Sequence, residues 1–251
     1  ARKRAVFTEQ LIMMDAVDGS EVGSFPVGQA FRDRFKNPYA VIHRADVHLS
    51  LLEAAQETGQ VEFHTSTRAE RIEQDEHSVT VWDQNGKAFK GCALIGADGV
   101  WSTVRQQLLG DLPPRFTGHL AYRALVAQAD LPAHLRSDQV TVWMGPRLHV
   151  VHYPVRGGVF LNMVVLVETT DHPSQAGWDV LRSSKQINAD LKHALQGCCN
   201  DLQKLIHRAE DWRAWCLFDR PPLQRAAQMA QGRVALLGDA AHPMLPYLAQ
   251  G

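Results

Sequence analysis

Residues able to hold a polar ligand follow a short apolar run near the end of the chain. Val234–Leu237 predicts a buried strand, and Gly238 and Asp239 come directly after it. A glycine at a strand end lets a ligand approach the backbone closely, and a carboxylate there accepts hydrogen bonds from hydroxyl groups. Asp239 is alternatively interpreted as an ordinary turn or helix-capping acid. Downstream, Pro243 and Pro246 hold the chain extended.

A second strand end carries the same pair of residue types. The apolar residues 92–97 lead into Asp98 and Gly99, and Val100–Arg105 is typical of a turn that enters a helix. An acid facing a phosphate is unfavourable by charge, so we expect Asp98 to orient its neighbours or to bond a ribose hydroxyl. A plain helix-capping role is the alternative. We predict that Asp98 and Asp239 lie at two strand ends that converge on one ligand.

A third candidate group lies in the strand-like segment 145–154. Alternation along a strand places His149, Val151 and Tyr153 on one face. An imidazole with an ordinary pKa of about 6.5 accepts a phenolic proton at neutral pH, and a phenol bonds a carboxylate or hydroxyl. The face therefore suits a flat hydroxylated aromatic acid. The alternative is an edge strand on which both side chains are partly solvated.

Three sequence motifs carry a family resemblance. The run Gly-Asp-Ala-Ala-His-Pro-Met-Leu-Pro from Gly238 to Pro246 resembles the flavin-contacting motif of single-component FAD aromatic hydroxylases. The segment around Asp98 resembles that family's Asp-Gly motif, and Val41–His48 contains Arg44 where the family has an arginine that reaches FAD. The three motifs occur in the family's order. The chain is most similar to the branch with 3-hydroxybenzoate 6-hydroxylase, salicylate hydroxylase and 6-hydroxynicotinate monooxygenase.

The resemblance implies a function and a set of site residues. The expected reaction is hydroxylation of a small aromatic acid with NADH or NADPH and O2, through a flavin C4a-hydroperoxide. His149 and Tyr153, at positions where the family places a His and a Tyr near substrate, and His242 are the expected catalytic residues. The implied substrate residues are His149, Tyr153, Pro246 and Tyr247. The implied FAD-binding residues are Arg44, Asp98, Gly99, Arg105, Gly238, Asp239, Pro243 and Gly251.

One residue departs from the pattern of the 3-hydroxybenzoate enzymes. Those enzymes tend to carry Gln where this chain has Pro246, followed by Tyr247. The pyridine-acid and salicylate hydroxylases resemble this chain there, so the aromatic substrate stays open. The glycine-rich pyrophosphate turn is also absent from the sequence. We therefore expect a piece of a longer protein, and the alternatives are a non-catalytic binding module or a flavin oxidoreductase of another reaction type.

The amino-acid composition and net charge limit the classes of function open to this chain. The chain has 251 residues and a net charge of −1, which does not favour nucleic-acid binding. No apolar run approaches the roughly 18 residues of a membrane helix. The cysteines Cys92, Cys198, Cys199 and Cys216 form no Cys-x-x-Cys pair, so no metal site is indicated and a reducing cytoplasm is expected. We expect no membrane partner, and we consider a homodimer.

Periodicity predicts a mixed fold. A hairpin is expected from Gln10–Asp15 and Glu21–Phe25, a helix over 45–58, and a strand over Val61–Thr65. We predict an α/β protein, in which a Rossmann-like FAD-binding domain interleaves with an α+β substrate domain built on an antiparallel sheet. The predicted FAD-binding parts are 41–110 and 226–251, and the predicted substrate parts are 1–40 and 111–225. The expected sheet strands are Tyr122–Ala127, Val140–Met144, His149–Pro154 and Val159–Val167.

Overall fold

A computed structural model describes residues 4–170 and 182–248 of the chain. The chain folds into two compact units: a larger one of Ala1–Val61 and Gly118–Cys216, and a smaller one of Glu62–Thr117 and Leu217–Gly251. Among the described residues, no helix is long and apolar enough to cross a membrane. The predicted cofactor and substrate domains stay a prediction, because compact units do not by themselves assign ligands.

The chain combines α-helices with runs of consecutive strands, and the predicted mixed α/β fold is confirmed. The helices are α1 Gln29–Phe35, α2 Arg44–Glu57, α3 Thr103–Leu109, α4 Ser184–Ala194, α5 Asn200–His207 and α6 Ala226–Met229. The strands are β1 Val6–Phe7, β2 Gln10–Asp15, β3 Glu21–Pro26, β4 Ala40–Val41, β5 Ala69–Gln74, β6 Val79–Asp83, β7 Ala88–Gly91, β8 Leu94–Gly96, β9 Arg115–Ala127, β10 Val140–Gly145, β11 Leu148–Val155, β12 Phe160–Glu168, β13 Arg213–Asp219, β14 Ala230–Gln231 and β15 Val234–Leu236.

A seven-stranded sheet in the order β13-β9-β12-β11-β10-β2-β3 forms the centre of the larger unit. The four predicted sheet strands correspond to β9, β10, β11 and β12, and their antiparallel pairing is confirmed. The predicted hairpin is confirmed as β2 and β3, which join this sheet through a parallel pairing of β2 with β10. Gly19 turns the hairpin with a φ of 80°, in the left-handed region that favours glycine.

The two faces of this sheet differ in burial. On β11, Leu148, Val150 and His152 are buried, whereas His149 and Tyr153 on the other face are half-buried. Buried apolar side chains of α4 and α5 supply core on the first face, where the Tyr122 hydroxyl donates to Asp190 of α4 at 2.8 Å. Burial of one face leaves the other face of the strands available for a ligand.

The smaller unit holds two three-stranded sheets, ordered β14-β15-β8 and β5-β6-β7. Helix α3 follows β8, as the predicted turn into a helix indicates. It begins at Ser102, whose hydroxyl accepts a hydrogen bond from the Arg105 N–H at 2.8 Å. The apolar core of the smaller unit includes Val79, Val104, Val234 and Leu236.

One predicted element is wrong. Val61–Thr65 forms no strand, although α2 just before it matches the predicted helix within a residue at each end. Val61 is 49% exposed and Phe63 is 43% exposed. A short apolar alternation that finds no partner strand leaves its backbone unpaired, so it does not become a strand.

Candidate functional site

The two predicted strand ends in the smaller unit share one sheet edge. Strands β8 and β15 are parallel neighbours, with Leu236 opposite Gly96. The Leu237 N–H extends this pairing by donating to the Gly96 carbonyl at 2.9 Å. Because carboxyl ends of parallel neighbours emerge together, Asp98 and Asp239 both follow this edge. The two strand ends therefore lie side by side as the sequence predicts, and their binding of one common ligand stays a prediction.

The backbone at this edge is open in a way that suits a closely approaching ligand. Gly238 has a φ of +60° and Gly99 a φ of +76°, and no atom lies within 4 Å of where a Cβ would stand on either. The Asp239 carboxylate is exposed, and within the described residues it makes no hydrogen bond or ion pair. The edge thus offers an unused acceptor beside exposed backbone, which fits a ligand rich in hydroxyl groups.

Asp98 has a different setting from Asp239. Its carboxylate accepts from the Ser102 hydroxyl at 2.6 Å and from the N–H groups of Thr103 at 2.8 Å and Val104 at 3.1 Å. These donors belong to the first turn of α3 and its cap, so Asp98 satisfies backbone groups that the helix leaves unpaired. The predicted orienting role fits this geometry, and a bond to a ribose hydroxyl stays a proposal.

The Arg105 guanidinium lies in the interior of the smaller unit. The side chain is 1% exposed and donates to Asp111 at 2.6 Å. It also donates to the carbonyls of Ala240 at 3.3 Å and Ala241 at 3.1 Å, and to that of Pro221 at 2.9 Å. Arg105 therefore ties α3 to the loop that contains Gly238. Any effect of Arg105 on a cofactor would act through that loop.

The downstream part of the terminal motif is more exposed. His242 is exposed, Pro243 is half-buried, and Pro246 begins a short 3-10 turn over Pro246–Leu248. Tyr247 lies in that turn and is half-buried. Gly251 lies outside the described residues.

A separate cavity in the larger unit brings together other predicted residues. It measures about 930 Å³, a size typical of small-molecule sites. Strands β9, β11, β12 and β13 supply one part of its wall, and the start of α2 supplies another. The lining residues are His43, Arg44, Ala45, His48, Arg123, Ala124, Leu125, Tyr153, Asn162, Asp211, Arg213 and Trp215. Arg44 and Tyr153, predicted for cofactor and substrate, thus line one cavity.

This cavity is electropositive. Arg123 lies with its guanidinium carbon 5.5 Å from the centre of the Trp215 ring. Burial lowers the pKa of Arg123 and the nearby Arg44 cation lowers it further, while Tyr153 opposes the change. Burial also raises the pKa of Tyr153, and the Arg123 charge partly offsets that rise. At neutral pH the cavity therefore presents cationic guanidinium groups and a protonated phenol, which together suit a carboxylate.

His149 shares a sheet face with Tyr153 but lies four residues along the strand, outside the lining of this cavity. Burial lowers its pKa, so the imidazole is neutral at neutral pH and able to accept a proton. Its assignment as the base stays a proposal.

The sequence interpretation missed Arg123, Asn162 and Trp215. Register places Arg123 opposite Val164, which itself pairs with Val151 between His149 and Tyr153. A signal was present, because Arg123 is the one charged residue within the otherwise uncharged stretch Leu120–Ala127. A charge inside an apolar strand commonly marks a functional face.

The chain belongs to the FAD binding domain family, whose model matches residues 27–251. It is 55% identical over 251 residues to a 3-hydroxybenzoate 6-hydroxylase of Polaromonas naphthalenivorans (strain CJ2), covering 100% of this chain and 60% of that protein. It is 45% identical to a 3-hydroxybenzoate 6-hydroxylase of Klebsiella oxytoca, covering 100% of this chain and 61% of that protein.

Solved structures give the same family of folds. Klebsiella pneumoniae HpxO complexed with FAD and uric acid matches with a TM-score of 0.82 and 28% identity, over 100% of this chain and 61% of that one. The chain spans about 60% of the length of the curated relatives just described. The family resemblance expected from the three motifs is confirmed.

Proposed function

We propose that the protein containing this chain is an FAD-dependent monooxygenase that hydroxylates a small aromatic acid with NADH or NADPH and O2. The observation that carries the proposal is the electropositive cavity lined by Arg44, Arg123 and Tyr153. The names of the relatives support the substrate class, and a hydroxybenzoate is the first candidate.

Several residues fit an FAD molecule. Gly238 has left-handed backbone with free space where a side chain would stand, and Asp239 has an uncommitted carboxylate for ribityl hydroxyls. Gly99 offers the same openness on the neighbouring strand end. A contribution of the permanent Arg44 cation to FAD binding is what the family resemblance implies. His242 and Pro243 would lie beside the isoalloxazine, as the resemblance implies. When bound, FAD supplies the redox and oxygen-activating chemistry.

The cavity residues would bind and orient the aromatic acid. Arg123 pairs with the carboxylate in this proposal, and Tyr153 donates its hydroxyl proton to the same group or to a ring oxygen. Leu125 and Trp215 supply apolar surface that a flat ring covers and from which water is displaced.

His149 is the proposed base for the ring hydroxyl, on the ground of the family resemblance and of its place on the Tyr153 face of β11. It lies outside the cavity lining, so the proposal requires the reacting ring to extend along β11 towards it. A phenolate ring is more electron-rich than a phenol, so removal of the phenolic proton favours oxygen transfer to carbon. The neutral imidazole has the protonation state that a general base needs. His149 would therefore hold the proton at one of its ring nitrogens while the ring reacts.

Pro246 favours a second candidate substrate. A proline offers no side-chain amide to a ring hydroxyl, and the resemblance implies that pyridine-acid and salicylate hydroxylases share it. Hydroxypyridine carboxylic acids and salicylate therefore belong in the same substrate panel. A cytoplasmic location and a homodimer stay predictions.

A stimulation assay with the intact protein tests the proposal. Purified protein is examined for bound flavin by its absorption, and then for NADH and NADPH oxidation with 3-hydroxybenzoate, salicylate and 6-hydroxynicotinate. The expected result is aromatic-dependent oxidation with a stoichiometric hydroxylated product. Bound flavin with NADH oxidation but no hydroxylated product would favour another flavin oxidoreductase, and absence of flavin would favour the binding module.

A further inference from the structure

Asn162 is a polar residue within an otherwise apolar strand of the larger unit. The other residues of β12 before Glu168 are Phe, Leu, Met and Val, and Asn162 is half-buried in the wall of the electropositive cavity. A partly buried amide without a hydrogen-bond partner costs stability. Within residues 4–170 and 182–248, the Asn162 side chain makes no hydrogen bond. Its two N–H donors and its carbonyl acceptor are therefore available to a ligand.

Strand register places Asn162 beside the two cavity residues that are proposed to bind the carboxylate. It lies directly opposite Tyr153 of β11, and residues in that relation have side chains on the same sheet face. Arg123 of β9 lies opposite Val164, two residues along β12 from Asn162. Such diagonal neighbours are about 7–8 Å apart, within reach of a long side chain. The side-chain donors of Asn162, Tyr153 and Arg123 are therefore close enough to reach one carboxylate.

The three side chains supply complementary donors. An ionised carboxylate only accepts hydrogen bonds, and its two oxygens offer about four lone-pair sites. Arg123 supplies the charge, and Tyr153 supplies a phenol that stays protonated, because burial raises its pKa. The Asn162 amide adds two directional N–H donors without a further charge. A neutral carboxamide in the same place would direct its own N–H donors at those of Arg123 and Tyr153, which is unfavourable.

The position of His149 relates Asn162 to the carboxylate rather than to the ring hydroxyl. His149 lies four residues before Tyr153 on β11, a separation of about 13 Å along a strand that rises about 3.3 Å per residue. The ring hydroxyl points towards the proposed base, so the opposite end of the substrate lies at Asn162. This step rests on the proposed function of the cavity.

We propose that Asn162 is a specificity-determining residue, whose amide N–H groups complete a carboxylate site together with Arg123 and Tyr153. This site selects an aromatic carboxylate over the corresponding neutral carboxamide. Asn162 thereby holds the carboxylate end of the substrate, while the hydroxyl end faces His149.

Isothermal titration calorimetry tests the proposal by comparing 3-hydroxybenzoate with 3-hydroxybenzamide. The intact protein carries its flavin, and NADH and NADPH are left out, so that binding is measured without turnover. We expect the wild type to bind the acid more tightly than the amide. Asn162→Ala should weaken binding of the acid about 10- to 100-fold, the effect of one hydrogen bond to a charged group. It should weaken binding of the amide only about threefold, the effect of one neutral hydrogen bond.

Asn162→Asp keeps the shape of the side chain but replaces its N–H donors by an anion. We expect this variant to weaken binding of the acid more than Asn162→Ala does. Its affinity for the amide should stay within about threefold of wild type, because a carboxylate accepts from the amide N–H groups of the ligand. Asn188→Asp is the matched control, since Asn188 is exposed on α4 and lies outside the cavity lining. It should change neither affinity.

The possible results separate this proposal from the proposed function. The proposal alone is overturned if the wild type binds the acid but both Asn162 variants keep that affinity. It is also overturned alone if the variants weaken acid and amide by equal factors, as a purely structural residue would, or if the wild type binds both ligands equally. A wild type that binds no aromatic acid contradicts the proposed function as well.

Discussion

Asp98 and Asp239 follow adjacent parallel strands at one sheet edge, yet only Asp98 has its carboxylate engaged by the protein. Asp98 accepts three hydrogen bonds from the start of α3. Asp239 accepts none within the described residues and is exposed. Although the two acids occupy equivalent positions, Asp98 stabilises the fold, whereas the carboxylate oxygens of Asp239 keep their hydrogen-bond acceptor capacity unused.

This difference predicts that removal of the Asp98 carboxylate changes stability, whereas removal of the Asp239 carboxylate changes FAD binding. Asp98→Ala is expected to lower the free energy of unfolding by about 1–2 kcal/mol, because a helix start loses its cap. Asp239→Ala is expected to leave stability nearly unchanged but to weaken FAD binding. Denaturant unfolding and flavin titration measure the two effects. Equal loss of flavin affinity in both variants, with no stability difference, would contradict the assignment.

Gly238 gives a second prediction, with Gly110 as a matched control. Their φ angles are +60° and +61°, and neither has an atom within 4 Å of a would-be Cβ. Alanine at either position should cost about 1–2 kcal/mol of stability through left-handed strain. Only Gly238→Ala is expected to weaken FAD binding, because its methyl group would occupy the ligand side of the strand end. Equal flavin affinities in the two variants would count against a cofactor at Gly238.

Arg123→Met tests the predicted carboxylate contact. The substitution keeps an unbranched chain but removes the charge, so the KM for the aromatic acid should rise about 10- to 100-fold, the range for a charge-assisted hydrogen bond. FAD content should stay the same. Arg208→Met is the control, since Arg208 is exposed and outside the cavity lining. An unchanged KM with a stable protein would exclude Arg123 from substrate binding.

The His149→Ala substitution tests the proposed role of His149 as the general base. Turnover should fall about 10²- to 10⁴-fold, as for loss of a general base, while FAD stays bound. Because burial lowers the pKa of His149, the neutral form persists below the ordinary pKa, and the rate should decline only at lower pH. Steady-state kinetics across pH measures both effects, with exposed His77→Ala as the control. Unchanged turnover in His149→Ala would refute the role.

His152 predicts a pH dependence of stability. Its pKa is about 4 in the folded protein against 6.5 for the free group, so the unfolded chain binds the proton first as pH falls. The neutral His152 therefore contributes its full stabilisation of the folded state above pH 6.5. This contribution is lost as the pH falls towards about 4, and the free energy of unfolding drops by about 3 kcal/mol at most. His152→Gln should flatten the unfolding free energy over this range, whereas exposed His193→Gln should not. Identical pH curves for wild type and His152→Gln would contradict burial of a neutral imidazole.

Much of the fold is readable from local sequence signals. The β2–β3 hairpin, helix α2 and strands β10 to β12 agree with their predicted positions within a few residues. The alternation or helical spacing of their apolar residues is strong, and turn residues such as Gly19 mark where the elements end. Val61–Thr65 had the same local pattern but no partner strand, so local pattern alone gave the wrong result.

The sequence by itself determined which residues end the strands, where glycine opens the backbone, and which family's motifs the chain carries. These features depend on residue type and short spacing, which local steric and hydrogen-bonding rules fix. The tertiary structure decided that Asp98 is engaged and Asp239 is not, that Arg105 is interior, and that Arg123 shares a cavity with Arg44 and Tyr153. Those outcomes depend on strand register and on pairing between distant segments, which local spacing does not specify.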